Sequence, residues 1–390
     1  MQSLQNTVNI SKLKGWDKNP RGIKKDAFER LKRQITAHGQ FKPVLATPEG
    51  EVIGGNMRLK AYQDLGITEV WVSIVEPKDE TEKVAIALAD NDRAGYYEED
   101  ALAELISSVP DLVLEDYHLD LGKTLSAKDL LDKFRPTEED DFDVEEALPD
   151  DPISRLGDIY QLGSHRLMCG DSTDLDTVTV LLEGKQADLV FTDPPYGINV
   201  VEKDGKVGGG ELAKNKVYTS VIGDENTETA NSFYSTCVSI GLDKYIIWGG
   251  NYFLDFLPFS SSLIVWDKRG DMPSNDFADG EIAWTNIPTR VRIYKQIWNG
   301  MIREGESEVR VHPTQKPIRV LGDIVKDFTK EGQKIYDGFG GSGSTLIACE
   351  QLERNCYMME LDPRYCDVII KRWEQFTGKK AINLTGKNQE

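Results

Sequence analysis

The sequence predicts an α/β protein in which a small N-terminal α/β unit precedes a larger domain built on a mostly parallel sheet with helices on both faces. Three observations support this prediction. Helix and strand patterns fill residues 1–95, a run of acidic residues occupies 136–154, and from residue 155 onward short apolar strands alternate with helices. With 390 residues, the chain is long enough to bury two separate cores.

The N-terminal unit combines helical and strand periodicities with clear turn signals. Its predicted elements are a helix at 24–38, strands at 41–47, 51–53 and 70–75, and a second helix that begins after Gly54 and Gly55. Gly39 and Gly66 are the expected stop signals of the two helices. A helical extension is predicted over residues 96–135.

The segment between the two domains is strongly acidic. Residues 136–154 contain nine acidic residues and no basic one, with few apolar side chains. Such a composition is typical of a solvated interdomain linker. A DNA-mimicking or partner-binding segment is the alternative interpretation.

The larger domain, residues 155–390, shows the alternation of strands and helices that is typical of a parallel sheet. Its clearest predicted strands lie at residues 188–192, 245–248, 262–266, 334–336 and 356–359. Ligands of such sheets bind at the carboxyl ends of the strands. The residues that follow each strand are therefore the first candidates for a functional site.

Asp193, Pro194, Pro195 and Tyr196 follow directly after one of these strands. Two adjacent prolines cannot continue a strand ladder, so they fix the backbone at the strand end. The carboxylate and a backbone carbonyl can accept hydrogen bonds from an exocyclic amine, while Tyr196 stacks on the ring that carries it. This combination indicates an unstacked nucleobase as the ligand. A Pro-rich turn that is capped by an aspartate is the alternative.

A glycine-rich turn follows the strand at 334–336 and opens a helix. Gly338, Gly340 and Gly343 satisfy the pattern G-x-G-x-x-G, which lets the backbone approach a cofactor closely. Glu360 ends the next strand, where a carboxylate can hold ribose hydroxyls. The turn alone fits a dinucleotide site equally well, but a dehydrogenase has no use for the motif at Asp193.

Together these motifs resemble those of the beta-class amino methyltransferases of DNA, in which the catalytic motif precedes the cofactor motif. The resemblance covers residues 155–390 and implies a Rossmann-like sheet of seven strands with S-adenosylmethionine as methyl donor. It rests on four elements in the expected order: 193–196, 312–317 (His-Pro-Thr-Gln-Lys-Pro), 337–345, and Glu360 with 362–365. The chain departs from the family at Gly338, where proline is usual, and at Ser344, where threonine is frequent.

The resemblance also implies roles for individual residues. Asp193, Pro194, Pro195 and Tyr196 would be catalytic and receive the flipped base. The residues expected to hold the cofactor are Asp171, Ser172, His312, Thr314, Lys316, Asp337, Gly338, Phe339, Gly340, Ser342, Gly343, Ser344, Thr345 and Glu360. Four scattered histidines and five unpaired cysteines give no metal-binding pattern, and the cysteines are expected to be buried reduced thiols.

The predicted reaction is a direct transfer of the methyl group to N6 of adenine in double-stranded DNA. In the family, aspartate at the position of Asp193 goes mostly with adenine, and serine mostly with cytosine N4. A cytosine C5 enzyme would need a nucleophilic cysteine, typically after proline, and the sequence has no Pro-Cys dipeptide. Two alternatives stay open: a cytosine N4 methyltransferase, and a DNA-binding regulatory or partition protein with a non-catalytic methyltransferase-like domain.

Residues 1–95 resemble the ParB/sulfiredoxin-like fold. The matching stretch includes Gly54, Gly55, Asn56 and Arg58, which stand at the start of a predicted helix. In relatives this turn binds phosphate, so the resemblance implies phosphate or DNA binding at these four residues. Sulfiredoxin chemistry needs a cysteine in the turn, and Asn56 stands there instead. A structural module without a ligand is the alternative.

Charge and hydropathy limit the partners. The net charge of −20 argues against strong non-specific binding to nucleic acid, but residues 1–60 carry a local excess of seven positive charges. No apolar run is long enough to cross a membrane, and no signal peptide is expected, so the predicted location is the cytoplasm of a bacterial or phage-infected cell. Double-stranded DNA is the expected partner, and a homodimer stays open.

Two further segments are candidates for contacts with DNA. Residues 271–310 contain two tryptophans and several arginines, and they form the candidate target recognition region. An ordinary solvated insertion is the alternative there. Residues 248–253, at the end of a predicted strand, are expected to wall the base pocket, with a tight turn of core aromatics as the alternative.

Overall fold

The computed structural model describes residues 5–90, 96–97, 99–108, 132–198, 222–270, 278–299, 302–303 and 315–385. The chain divides into two units, residues 1–135 and 136–390. Within the described ranges, every helix is too short or too polar to span a lipid bilayer.

The first unit is a small α/β unit, as predicted. Its strands are β1 (Gln5–Asn9), β2 (Lys14–Gly15), β3 (Arg21–Gly22), β4 (Val44–Ala46), β5 (Glu51–Gly54), β6 (Glu69–Ile74) and β7 (Tyr96–Tyr97). Its helices are α1 (Lys25–His38), α2 (Asn56–Asp64), α3 (Glu80–Ala89) and α4 (Glu99–Ser107). Five strands form a sheet in the order β1-β6-β4-β5-β2. Most of the predicted helical extension lies outside the described residues.

The second unit carries the large sheet. Its strands are β8 (Ile159–Leu162), β9 (His165–Cys169), β10 (Leu189–Thr192), β11 (Tyr245–Trp248), β12 (Leu263–Asp267), β13 (Gly280–Thr285), β14 (Arg292–Lys295), β15 (Trp298–Asn299), β16 (Ile302–Arg303), β17 (Lys334–Asp337), β18 (Asn355–Glu360) and β19 (Ile382–Asn383). Its helices are α5 (Val144–Ala147), α6 (Leu175–Leu182), α7 (Glu228–Ser239), α8 (Ile318–Phe328), α9 (Ser344–Gln351) and α10 (Pro363–Thr377).

Ten strands pair in the order β14-β12-β13-β11-β10-β17-β18-β9-β8-β19. The central run from β11 to β9 is parallel, and β13 is inserted antiparallel between β11 and β12. The stretch from β9 to β12 is the expected seven-stranded Rossmann-like sheet, which is extended by β14 at one edge and by β8 and β19 at the other. Because the central strands are parallel, their carboxyl ends meet at one edge.

Two hydrophobic clusters cover the two faces of this sheet. One includes Leu189 and Trp248, and the other includes Val190 and Phe233, so successive residues of β10 serve opposite faces. All five cysteines are free and buried, as expected for reduced thiols. The packing fixes the strands, and the strands in turn fix the residues at the sheet edge.

The acidic segment differs from the predicted solvated linker. Residues 136–154 belong to the second unit, where Phe142 and Val144 are buried against Val368 of α10. Asp140 forms an ion pair with Arg372, a residue of α10 that is 1% exposed. Composition alone predicted solvation, because Arg372, the partner of Asp140, lies 232 residues further along the chain.

Part of the candidate recognition region belongs to the main sheet. Within residues 271–310, β13 and β14 are strands of the main sheet rather than an insertion. Trp284 is 4% exposed, and its indole N–H donates to the carbonyl of Pro258, so this tryptophan belongs to the core. Residues 271–277, 300–301 and 304–310 lie outside the described residues.

Candidate active site

The carboxyl ends of three neighbouring parallel strands carry the acidic residues that the sequence singles out. Asp193 directly follows β10, Asp337 ends β17, and Glu360 ends β18. Since β17 lies between β10 and β18, the three residues share one edge of the sheet. The sheet therefore brings the predicted catalytic and cofactor motifs to the same place.

A buried hydroxyl joins two of these strand ends. Thr192, the last residue of β10, donates from Oγ1 to Asp337 Oδ1 over 2.7 Å and accepts from the amide of Gly338 at 3.2 Å. Asp337 Oδ1 also accepts from the amide of Phe339 at 3.1 Å. The residue before Asp193 is thereby tied directly to the start of the glycine turn.

The Asp193 carboxylate lies in a rigid, polar corner. Pro194 and Pro195 are buried, and the Tyr196 hydroxyl donates to Asp193 Oδ1 over 2.6 Å. The ammonium of Lys316 forms an ion pair with Asp193 Oδ2 and lies 3.2 Å from the Tyr196 hydroxyl. The carboxylate is therefore held in place by two donors.

Lys316, one of the residues expected to hold the cofactor, contacts the Asp193 carboxylate. Its Nζ is also 3.2 Å from Glu281 Oε2, and Lys268 donates to the other oxygen of Glu281 over 2.6 Å. Although burial opposes its charge, the carboxylates of Asp193 and Glu281 raise the pKa of Lys316 well above its ordinary value. Burial likewise opposes ionisation of Glu281, but the two lysines lower its pKa to about 2. Lys316 and Glu281 are therefore both charged at neutral pH.

Glu281 belongs to this site although no sequence pattern predicts it. This residue lies near the start of β13, and because β13 is antiparallel, its first residues meet the carboxyl ends of the parallel strands. No motif surrounds Glu281 in the sequence. Only the antiparallel insertion of β13 between β11 and β12 brings it to Lys316.

Aromatic rings surround the Tyr196 side chain. Tyr252 lies nearly parallel to it, with ring centroids 5.1 Å apart and an angle of 14° between the planes. Gly249 has φ +72°, and a Cβ on it would lie 2.3 Å from the Tyr196 ring. Gly249 and Tyr252 thus pack on Tyr196, and Tyr252 shows that a flat ring can lie parallel to the Tyr196 ring.

The glycine turn is closely packed from below. A Cβ on Gly338 would lie 2.2 Å from the ring of Phe233, and one on Gly340 would lie 2.9 Å from Met358. Ser342, Gly343, Ser344 and Thr345 complete the turn and begin α9. The backbone of the turn therefore lies directly on the core, where a side chain at Gly338 or Gly340 would not fit.

Two buried carboxyl groups flank this turn. Burial raises the pKa of Asp337 to about 6, although hydrogen bonds from Thr192 and Phe339 oppose the shift. Burial also raises the pKa of Glu360 to about 7, although its oxygens accept from the amides of Gly341 at 2.7 Å and Asp362 at 2.8 Å. A cationic or hydroxyl-bearing ligand would stabilise the ionised form of both carboxyl groups.

The remaining predicted cofactor residues fall into two groups. Asp171 and Ser172 follow β9, next to β18, and the Asp171 carboxylate accepts from the amide of Thr173 at 2.8 Å. His312 and Thr314 lie outside the described residues. The sheet thus brings Asp171 and Ser172 to the edge that carries Glu360.

In the N-terminal unit, the side chains of the predicted phosphate turn are engaged internally. Gly54 and Gly55 lead into α2, and Asn56 Oδ1 accepts from the amide of Trp16 at 3.0 Å. Arg58 is 2% exposed, donates to the carbonyl of Pro43 over 3.1 Å, and lies 3.8 Å from Asp90. The side chains of Asn56 and Arg58 are therefore both engaged within the N-terminal unit.

Comparison with known families matches both units. The family model described as DNA methylase matches residues 286–372, and the model described as ParB N-terminal domain matches residues 1–92. The first range includes the glycine turn and Glu360 but begins after Asp193. The N-terminal match agrees with the predicted ParB-like unit.

Curated relatives are methyltransferases. The chain is 28% identical over 120 residues to the type II methyltransferase M2.DpnII of Streptococcus pneumoniae, which covers 30% of this chain and 44% of the relative. It is 24% identical to the type II methyltransferase M2.MboI of Moraxella bovis, covering 49% of this chain and 81% of the relative. The chain thus spans less than half the length of the first relative.

Among solved structures, the M1.HpyAVI–SAM complex is similar to this chain at 15% identity, covering 53% of this chain and 97% of that chain, with a TM-score of 0.33.

Proposed function

We propose that this chain, which joins a ParB N-terminal domain to a DNA methylase domain, transfers a methyl group from S-adenosylmethionine to N6 of adenine in DNA. One observation carries the proposal. The Asp193 carboxylate lies in a rigid corner at the end of β10, and Thr192 ties that strand end to the turn at Asp337. The Asp193 carboxylate, which can accept from an amine, and the glycine turn, which can hold a cationic cofactor, are thereby kept next to each other.

The residues of the turn fit S-adenosylmethionine. Gly338 and Gly340 keep the backbone free of side chains, Asp337 offers a carboxylate to the positively charged methionine part, and Glu360 offers one to the ribose. When bound, this cofactor supplies an activated methyl group, so only alignment and charge stabilisation remain for the protein.

The chemistry of Asp193 follows from the amine. An aromatic amine delocalises its lone pair into the ring, which makes the nitrogen a weak nucleophile. Hydrogen bonds from both amino hydrogens, to Asp193 and to the Pro194 carbonyl, favour a pyramidal nitrogen and stabilise the positive charge that develops there. Tyr196 supports the base by stacking and also orients the Asp193 carboxylate.

Lys316 must give way before an amine can reach Asp193. Its ammonium touches Asp193 Oδ2, and Glu281 Oε2 lies 3.2 Å away on its other side. A short movement toward Glu281 frees the Asp193 oxygen without leaving a buried cation unpaired. We therefore assign Glu281 the role of holding Lys316 when the base is bound.

Labelled S-adenosylmethionine tests the proposed function. The full chain is incubated with DNA of mixed sequence, and the DNA is then digested to nucleosides. Label in N6-methyl-2′-deoxyadenosine supports the proposal, and label in N4-methyl-2′-deoxycytidine supports the cytosine alternative. Cofactor binding without label in any DNA supports the third alternative, a DNA-binding regulatory protein with a non-catalytic domain.

The partner and location follow from this function. DNA is the proposed partner, because both matched families are named for DNA-associated proteins. The bacterial cytoplasm, or that of a phage-infected cell, is the proposed location, since DNA and S-adenosylmethionine meet there. Phosphate or DNA binding at the turn of Gly55 stays a proposal.

S-adenosylmethionine binding should tighten about tenfold between pH 6 and pH 8, because Glu360, with a pKa of about 7, must lose its proton to hold the ribose. Calorimetric titration across this range measures the Kd. Glu360→Gln cannot ionise and should lose most of the pH dependence. A Kd that is flat with pH in the wild type would contradict the assignment of Glu360.

The ligand-free chain should show the opposite trend in stability. Asp337 and Glu360 both have pKa values raised in the folded state, to about 6 and about 7. Their contribution to folding is therefore present below their ordinary pKa values and is lost as the pH rises through about 6 and about 7. Thermal unfolding of the ligand-free chain from pH 5 to pH 8 measures this loss.

Glu281→Gln should lower kcat/KM for DNA by about tenfold and leave the Kd for S-adenosylmethionine within about twofold, because a neutral partner holds Lys316 less well when the amine arrives. Single-turnover methylation and calorimetry measure the two quantities. Glu183→Gln is the control, because it alters a carboxylate paired with Arg166 of β9, which lies five strands away from β13 in the sheet. Equal kcat/KM in both variants would refute the role of Glu281.

A further inference from the structure

The acidic strap, residues 137–144, is anchored on the second unit at both ends. Thr137 is buried, and a Cβ on Gly322 of α8 would lie 2.5 Å from its methyl group. At the other end, Phe142 and Val144 pack with Val368. Between these apolar anchors the strap turns two acidic side chains, Glu139 and Asp140, toward the domain.

Asp140 reaches the glycine turn through one guanidinium. Arg372 donates from Nε and Nη2 to the two oxygens of Asp140, each over 2.7 Å. Its third nitrogen donates to the carbonyl of Ser342 at 2.9 Å and to Ser344 Oγ at 3.2 Å. Arg372 is 1% exposed, so these hydrogen bonds replace the water contacts that its buried guanidinium lacks. The guanidinium of Arg372 therefore links the acidic strap directly to the glycine turn.

Glu139 acts on the other half of the site, the part around Asp193, because it caps the N-terminus of α8. Its two oxygens accept from the amides of Ile318 and Arg319, each at 3.0 Å, at the start of α8. The residue at the N-cap position is Pro317, which has no acceptor in its side chain, so Glu139 supplies the cap. Lys316, the partner of Asp193, directly precedes this proline. The cap therefore fixes the point from which Lys316 extends.

We propose that the acidic strap is a positioning element of the methyl-transfer site. In it, Asp140 positions the glycine turn that holds the cofactor, and Glu139 positions Lys316 next to the residues that receive the base. This inference rests on the proposed function, because it assigns the two halves to cofactor and base. Two adjacent residues of one strap thus act on separate steps. A segment that only stabilised the fold would affect both steps together.

The chain offers a matched control for each residue. Glu138 and Asp141 flank the pair in the same strap, carry the same charges, and are exposed. Glu139→Gln is therefore compared with Glu138→Gln, and Asp140→Asn with Asp141→Asn, all in the full chain. Each comparison removes one negative charge at nearly the same place, so a difference reports the contact and not the charge.

Three quantities are measured for each variant: the Kd for S-adenosylmethionine by calorimetry, kcat/KM for DNA by labelled transfer, and the midpoint of thermal unfolding. Asp140→Asn should raise the Kd about tenfold and lower kcat at saturating cofactor by less than about threefold. Glu139→Gln should leave the Kd within about twofold and lower kcat/KM for DNA about tenfold. Both controls should match the wild type.

Arg372→Lys tests whether the raised Kd expected of Asp140→Asn could come from misfolding. Lysine keeps the charge but cannot make the forked contact, so this variant should reproduce the raised Kd of Asp140→Asn at an unfolding midpoint close to that of the wild type. The inference is overturned if Asp140→Asn and Glu139→Gln change both quantities equally, or if neither differs from its control.

The same data separate this inference from the proposed function. A wild type that methylates DNA, with strap variants that match their controls, refutes the positioning role and leaves the function intact. A wild type that binds S-adenosylmethionine but labels no DNA refutes the function and the role of Glu139, while the Kd still tests Asp140. A wild type that binds no S-adenosylmethionine overturns both.

Discussion

Asp193→Asn is expected to lower the rate of methyl transfer by about 10²–10³-fold, with little change in the Kd for S-adenosylmethionine. The variant keeps the shape of the side chain but removes the negative charge that faces the developing positive charge on the amine. It also places an amide N–H₂ group where acceptors are needed, next to the Tyr196 hydroxyl and Lys316. Single-turnover transfer at saturating cofactor measures the rate, and calorimetry measures the Kd.

Asp255→Asn is the matched control for this experiment, because Asp255 is an exposed aspartate of the same unit. It should transfer methyl groups at the wild-type rate. If Asp193→Asn also keeps the wild-type rate, the carboxylate has no role in the reaction and the proposed mechanism fails. If transfer and cofactor binding are lost together, Asp193 supports the cofactor turn rather than the amine.

Gly249→Ala should reduce transfer by about 10²-fold, because the added methyl group would lie 2.3 Å from the Tyr196 ring and displace it from Asp193. The glycine also has φ +72°, and a left-handed alanine costs about 1 kcal/mol at such a position. We expect S-adenosylmethionine to bind with a Kd within about threefold of the wild-type value. Transfer assays and calorimetry on the same preparation give both results.

Gly184→Ala separates the two effects of this substitution. Gly184 has φ +66°, and no atom lies within 4 Å of the Cβ that alanine would add. The control therefore carries the backbone strain without the contact on an active-site ring. Both variants should lose the stability that the strained backbone costs, but only Gly249→Ala should also lose transfer. Equal activity in the two variants would show that the position of Tyr196 does not matter.

The predicted strand ends account for most of the candidate site. Asp193, Asp337 and Glu360 each follow or end an apolar strand, and parallel strands bring such residues to one edge. A local pattern is sufficient for this inference, because a strand, a turn and a helix succeed each other within a few residues. The fold of both units could be predicted from the sequence for the same reason.

Contacts between distant segments could not be predicted. Glu281 reaches Lys316 only because β13 runs antiparallel to its neighbours, and no short pattern in the sequence encodes the direction of a strand. The acidic strap was misinterpreted as a linker because its buried partner, Arg372, stands on the last long helix. The composition of a segment shows how many charges it has. It does not show whether those charges are solvated or paired with a residue elsewhere in the chain.

The hydroxyl of Thr192 has a thermodynamic consequence. Since it donates to Asp337 and accepts from Gly338, any ligand that shifts the cofactor turn also shifts the strand end that carries Asp193. Coupling of this kind is reciprocal, because the factor by which one ligand changes the affinity for a second equals the factor in the opposite direction. Binding of the cofactor should therefore change the affinity for the target base, and binding of the base should change the affinity for the cofactor by the same factor. The Thr192 hydroxyl is the contact that couples the two sites.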